Sequence, residues 1–315
     1  MLWLWILLIV IAVVAVLLGV ASWYFFKFSI RRYRRELTDQ QYNDDGSIWQ
    51  PFAQRMAQAQ EYIRAHTAER PKITSYDGLE LTALYLPAPE TPKGTVIAFH
   101  GYRSLATIDF ALEVEFLNSL GYDLLLPYQR SHGESQGKYI TYGVKERYDC
   151  RDWAKYAAGR WGNRPLFLMG ISMGAATVMM ASDLDLPEST RGIVADCGFT
   201  SPWEIMAHVA KRDFHLPPFP LLYLLDGIAR WRAGFSLKEA DSRQALSRTT
   251  LPVLFLHGED DDFVPVSMTR EDYQACRGEK YLRLVPGAAH AQSFAVDTQG
   301  CQQAIEEFLQ RYGQP

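Results

Sequence analysis

The chain opens on an unbroken apolar run. Leu2 to Phe26 carries no charged residue across 25 positions. At about 1.5 Å per residue, a helix of that length crosses a hydrocarbon core of about 30 Å. Trp3, Trp5, Trp23 and Tyr24 sit near its two ends, where aromatic rings gather at membrane interfaces. A secretory signal peptide competes for the same stretch, because Gly19-Val20-Ala21 offers small residues for cleavage. Nothing basic precedes the run, however, and it exceeds the roughly 7–15 apolar residues of a signal peptide. The pattern predicts a transmembrane helix over 1–26. Lys27, Arg31, Arg32, Arg34 and Arg35 follow it directly, so the positive-inside tendency predicts a single-pass protein with a cytoplasmic globular part.

The pattern then changes twice. Over 27–70 a basic flank leads into Ser47–Arg70, where Trp49, Phe52, Met56, Tyr62 and Ile63 recur at approximately helical spacing. This predicts an amphipathic helix that packs on the following domain, as most such stripes do, or lies on the membrane surface. From Pro71 short strands take over. Lys72–Tyr76 and Leu79–Leu86 flank Asp77-Gly78, a hairpin turn signal. Apolar strand runs at Thr95–Phe99, Asp123–Pro127, Leu166–Met169, Gly192–Ala195, Val253–Leu256 and Tyr281–Val285 follow. Helical patterns separate some of them, at Ala111–Leu120, Glu146–Arg160 and Gly174–Met180, and another closes the chain at Ala304–Gln310. Apolar strands alternating with helices predict an α/β fold: a mixed, mostly parallel sheet with helices on both faces, over 71–315. The stretch of about 201–247, with Pro202, Pro217, Pro218, Pro220 and many bulky apolar residues, interrupts the alternation. It reads as a helical cap insertion placed to roof a site at the strand carboxyl ends.

Composition adds limits. A hydrophobic content of 48% and a charged content of 22% are ordinary globular values, and a net charge of −4 provides no basic field for nucleic acid. Cys150, Cys197, Cys276 and Cys301 form no C-x-x-C pair and no disulfide framework, so they read as buried thiols. No cofactor or metal is expected. The run Asp260–Asp262 lacks the alternation and terminal Glu of a calcium loop.

The candidate chemistry centres on Gly170-Ile171-Ser172-Met173-Gly174, which follows one apolar strand and opens a helix. That context is what a nucleophile elbow needs, a tight turn lifting serine above the sheet; the plain alternative is a helix N-cap serine. Serine is a weak nucleophile without an oriented base. His290, in the loop after the last strand, is the candidate base, and an acid from His257-Gly258-Glu259-Asp260-Asp261-Asp262 completes the order Ser…Asp…His. Asp261 is the first choice within that run, with Asp260 next. Asp196 is an outside candidate for the acid, and its other reading is a cap on the Cys197-Gly198 turn.

With His100-Gly101-Tyr102 after a strand, Gly170–Gly174, the H-G-x-x-D-x-x-V-P run from His257 and the terminal G-x-x-H, the chain resembles the α/β-hydrolase superfamily. It is similar to the serine-aminopeptidase-like and lipase/esterase branch, including membrane-anchored bacterial hydrolases. The resemblance covers about Pro71 to the C-terminus and implies Ser172, Asp261 and His290 as the catalytic triad. It also implies an oxyanion hole made by the backbone N–H groups of Tyr102 and Met173, with His100 orienting the loop. Relatives often carry an acid before the H-G-x-S run; here Gln129 stands there, which removes a local partner for Arg130. His132 reads as a packing residue and Cys197 as a buried thiol. The implied activity is hydrolysis of an ester, thioester or amide through an acyl-enzyme, carboxylesterase-like, on an apolar small-molecule acyl substrate. Membrane lipid is the expected partner of the N-terminal helix. The competing functions are an aminopeptidase-like peptidase and a catalytically silent, membrane-tethered binding module.

Overall fold

A computed structural model describes residues 1–32, 48–162 and 164–314. Arg34, Arg35 and the start of the amphipathic stretch at Ser47 lie outside the described residues. In chain order the elements are α1 (Leu2–Ser29), α2 (Ala53–His66), β1 (Lys72–Thr74), β2 (Glu80–Leu86), β3 (Gly94–Phe99), α3 (Ala106–Asp109), α4 (Ala111–Ser119) and β4 (Tyr122–Pro127). They continue with α5 (Glu146–Trp161), β5 (Leu166–Ile171), α6 (Met173–Ala181), β6 (Thr190–Asp196), α7 (Pro202–Phe214), α8 (Leu221–Ala233) and α9 (Ser242–Leu246). The last are β7 (Val253–Gly258), α10 (Val266–Ala275), β8 (Lys280–Val285), α11 (Ser293–Val296) and α12 (Thr298–Tyr312).

The strands form one sheet in the order β1-β2-β4-β3-β5-β6-β7-β8. β1 and β2 are antiparallel, β2 pairs antiparallel with β4, and every pair from β4 to β8 is parallel. Parallel strands must be covered on both faces, and successive side chains point to opposite sides. Along β3, Val96 and Ala98 enter a core with Val114 and Leu117 of α4 and Phe308 of α12. Ile97 and Phe99 enter the opposite core with Trp153 of α5 and Val178 of α6. A third core lies at the carboxyl ends, where Met173 and Met180 of α6 meet cap residues and Phe26 and Ile30 from the end of the N-terminal helix.

α1 outlasts the uncharged run by three residues. Lys27 lies in its last turn, a favourable place for a cation at a helix C-terminus. That end is tied to the α/β domain: the Tyr102 and Tyr142 hydroxyls donate to Ser29 O at 2.8 and 2.9 Å, and Ile140 N–H donates to Ile30 O at 2.7 Å. The amphipathic stretch is helical from Ala53, preceded by a 3-10 turn at Gln50–Phe52. Its Met56 packs with Ala111 of α4, so the stripe faces the domain. α10 had no counterpart in the hydrophobic pattern, because its sequence mixes charged and apolar residues without a clean stripe.

Candidate active site

β5 ends at Ile171 and α6 begins at Met173, so Ser172 alone makes the turn between them. Its backbone stands at φ 56°, ψ −117°, a region that costs a non-glycine residue about 1–3 kcal/mol. The strain is held from two sides. Ser172 N–H donates to Asp196 O on β6 at 2.8 Å. The flanking glycines permit contact that no side chain would allow: a Cβ on Gly174 would stand 1.8 Å from Phe99 O, and one on Gly170 2.3 Å from Gly174 C.

His290 bridges the other two residues. Its Nε2 lies 2.9 Å from Ser172 Oγ and its Nδ1 2.7 Å from Asp261 Oδ2. Asp261 has no exposed side-chain surface, and its Oδ1 accepts from Phe263 and Val264 N–H, each at 2.9 Å. His257 Nε2 donates to Val264 O at 2.8 Å and also lies 3.2 Å from Asp261 Oδ2. Burial pushes the Asp261 carboxyl up, but hydrogen bonds from His257 and His290 outweigh it and hold the group well below the ordinary carboxylate range. An ionised acid there fixes the imidazole with Nε2 facing the serine. The Phe263 ring packs 4.8 Å from the His290 ring, centroid to centroid.

The loop after β3 closes over the serine. A Cβ on Gly101 would stand 3.3 Å from Ser172 Cβ. Asp109, half-buried at the end of α3, accepts from Gly101 N–H at 2.6 Å and from the Ser104 hydroxyl at 2.5 Å. His100 Nε2 accepts from Gln129 N–H at 3.0 Å, and His132 Nε2 accepts from Arg103 N–H at 3.0 Å. Among the described residues, no hydrogen bond occupies Tyr102 N–H. Met173 N–H, at the first position of α6, has no acceptor within that helix.

Two cavities meet at Ser172. One, of about 350 Å³, is almost wholly apolar and runs under the cap between Ile205, Met206 and Leu225. Its far wall is the end of α1, through Phe25, Phe28 and Ser29. The other, of about 360 Å³, is more polar and is lined by Ser104, Asp109 and His290.

Residues 90–223 match the family model described as serine aminopeptidase, S33. YqkD of Bacillus subtilis is 28% identical over 248 residues, 75% of this chain and 81% of that protein. Human protein ABHD12B is 27% identical over 209 residues, 62% of this chain and 55% of its own length. Among solved structures, the Pyrococcus furiosus esterase Pf2001 superposes with a TM-score of 0.64 at 24% identity, covering 78% of this chain and 91% of that one. Est1E from Butyrivibrio proteoclasticus, solved with ferulic acid bound, gives 0.61 at 19% identity, with coverages of 78% and 99%. These likenesses show an α/β-hydrolase fold.

Several expectations change within this fold. Asp196 does not cap the Cys197-Gly198 turn; its carboxylate accepts from the Ser293 hydroxyl at 2.9 Å, because its side chain points from β6 toward α11. Arg130, without an acid at 129, is paired with Asp149 of α5 at 2.6 Å and Asp77 at 2.9 Å. Gln129 instead donates its side-chain amide to His100 O, so it braces the same loop. His132 does more than pack, since it accepts the Arg103 N–H. Cys197 Sγ lies within 4.8 Å of ligand atoms of Asp261 and His290. Burial pushes that thiol well up and keeps it protonated, a poor metal ligand beside two groups already bonded to each other. The four cysteines are free and buried. Asp109, the second contact of His257, and the α1 wall had no sequence signal, because each depends on segments that meet only in the fold.

Proposed function

We propose that this chain is a member of the α/β-hydrolase superfamily and a membrane-anchored serine hydrolase of carboxylic esters. The observation that carries the reading is the continuous Ser172–His290–Asp261 relay, with links of 2.9 and 2.7 Å. His290 Nε2 takes the proton from Ser172 Oγ as it attacks the substrate carbonyl, while Asp261 stabilises the imidazolium that forms. The tetrahedral oxyanion is received by the N–H groups of Tyr102 and Met173; removing one such donor typically lowers turnover by about 10²–10³. His290 then protonates the departing alkoxide, and water activated by the same histidine releases the acyl group. The apolar cavity suits the acyl part, and the more polar cavity suits the leaving group and the incoming water.

α1, long and apolar enough to cross a bilayer, supports the anchor. The family model's description raises an aminopeptidase, which must hold a substrate ammonium in its pocket. Asp213 is a carboxylate on the apolar cavity, but it is paired with Arg212 at 2.5 Å, which favours an uncharged acyl group. Labelling with a fluorophosphonate probe tests the class. The wild type should label, Ser172→Ala should not, and His290→Ala should lose about 10³-fold or more in ester turnover. An unlabelled wild type, or labelling that survives Ser172→Ala, overturns the proposal.

A further inference from the structure

The apolar cavity has an unusual wall. Phe25, Phe28 and Ser29 belong to the same helix that is exposed and apolar from residue 1 to residue 17. Phe25 packs edge-on against Phe214 at the end of α7, with ring centroids 4.9 Å apart. Two tyrosine hydroxyls and the Arg103 guanidinium hold the carbonyls of Ser29 and Phe28. Burial raises both tyrosines, so these hydroxyls remain neutral donors. This end of α1 is therefore fixed relative to Ser172 rather than hanging from a free tether.

Its depth follows from helix geometry. With Trp3 and Trp23 at the two interfaces, the twenty intervening steps cover about 30 Å, one hydrocarbon thickness. Phe25 then lies about 3 Å and Ser29 about 9 Å beyond the hydrocarbon boundary, within the headgroup layer. The cap presents a matching surface beside them. Phe214, Leu216, Phe219, Tyr223, Leu224 and Trp231 are all exposed, Phe219 at 71% and Trp231 at 74%. An apolar patch of that kind, continuous with a membrane-spanning helix, marks a membrane contact. Arg232, over the Trp23 and Trp231 rings, adds a cation at the level where anionic headgroups lie.

We propose that α1 forms a wall of the active-site cavity as well as the anchor, and that the cavity opens into the headgroup layer, so that a single-chain acyl ester enters from the bilayer past Phe25 and Phe28. The partner surface is the lipid bilayer itself, and the apolar cavity receives one aliphatic chain. This rests on the serine-hydrolase reading, so its test includes a separate readout of Ser172.

The full chain is reconstituted in phosphatidylcholine vesicles and given two esters, p-nitrophenyl butyrate from the aqueous phase and 4-methylumbelliferyl laurate dissolved in the bilayer. The quantity read is the ratio of long-chain to short-chain turnover. Phe25→Ala with Phe28→Ala, removing the wall, should lower that ratio roughly tenfold, the effect of losing one or two ring contacts against the acyl chain. Phe219→Ser with Leu224→Ser, removing rim contacts that do not line the cavity, should lower it by a similar factor. Fluorophosphonate labelling of Ser172 in each variant reports that the fold persists, and Phe25→Leu replaces the double variant if labelling is lost. A labelled enzyme whose ratio is unchanged in either set overturns the proposal, whether the rim then contacts a protein or a second copy. Absence of labelling in the wild type overturns the underlying hydrolase reading and this inference with it.

Discussion

Asp261 receives two backbone N–H donors, the His290 ring and the edge of the His257 ring. Such a carboxylate does more than accept one proton from an imidazole. It ties the β7 loop to the β8 loop, so its substitution should be visible both in rate and in stability. Asp261→Asn should lower turnover by about 10⁴, because the amide permits the tautomer with Nε2 already protonated. The stability effect has a definite sign. A carboxyl held below its unfolded value stabilises the fold above about pH 4, and that contribution disappears as pH falls through the folded value. The stability gap between wild type and Asp261→Asn should therefore be level from about pH 5 to 8 and close below about pH 4. Urea denaturation of the detergent-solubilised proteins across that range measures it; a gap that widens toward acid contradicts a depressed carboxyl. The choice among Asp260, Asp261 and Asp262 was open in sequence because three adjacent acids are chemically alike. Only the backbone path after β7 decides which one turns inward: Asp261 is buried, and Asp260 and Asp262 are exposed.

At the scale of elements, the β5–Ser172–α6 unit was the most legible part of the chain. A short apolar strand, a G-x-S-x-G turn and a helix-forming run carry local signals that agree with one another. The structure adds why both glycines are needed, since α6 starts against the carbonyl end of β3. Gly174→Ala places a methyl 1.8 Å from Phe99 O, which only a backbone shift could relieve. It should destabilise the protein by about 3 kcal/mol or more. A thermal-shift measurement checks this, and a midpoint within a degree or two of wild type contradicts the close β3–α6 approach. α10 was not legible for the opposite reason. Its Arg270, Glu271 and Asp272 blur the apolar spacing, and its helix is held by Met268 in the core under the cap and by Thr269 Oγ1, 2.7 Å from His257 Nδ1 of β7. β1 is shorter than its sequence run because Ser75 leaves the strand to bind Asp77 and Leu79 in the turn.

For the whole molecule, the N-terminal helix and the α/β domain are one packed structure. The buried Phe26 and Ile30 share a core with Met173, the residue after the candidate nucleophile. A protein built this way should retain its first residues. Intact-mass measurement of the membrane-extracted protein should find the apolar run of residues 2–21 retained, whereas a mature form starting after Ala21 would contradict the transmembrane reading. The apolar cavity is likewise a property of the whole, since α1, the loop after β3 and both long cap helices each contribute a wall.

Sequence alone determined whatever depends on residues near one another in the chain. It set the span length of the apolar run, the alternation of strand and helix that requires a covered parallel sheet, the strained serine turn, and the order of serine, acid and histidine. These follow from periodicity, composition and local backbone preference, which need no partner. The tertiary structure decided what depends on which distant groups share a space. It selected Asp261 among three acids, gave Arg130 to Asp149 and Asp77, turned Asp196 toward Ser293, and brought the end of the N-terminal apolar helix to the rim of the serine's cavity. Each of these outcomes is a competition for burial or for a hydrogen bond between segments tens to hundreds of residues apart, and it is settled only when the sheet brings them together.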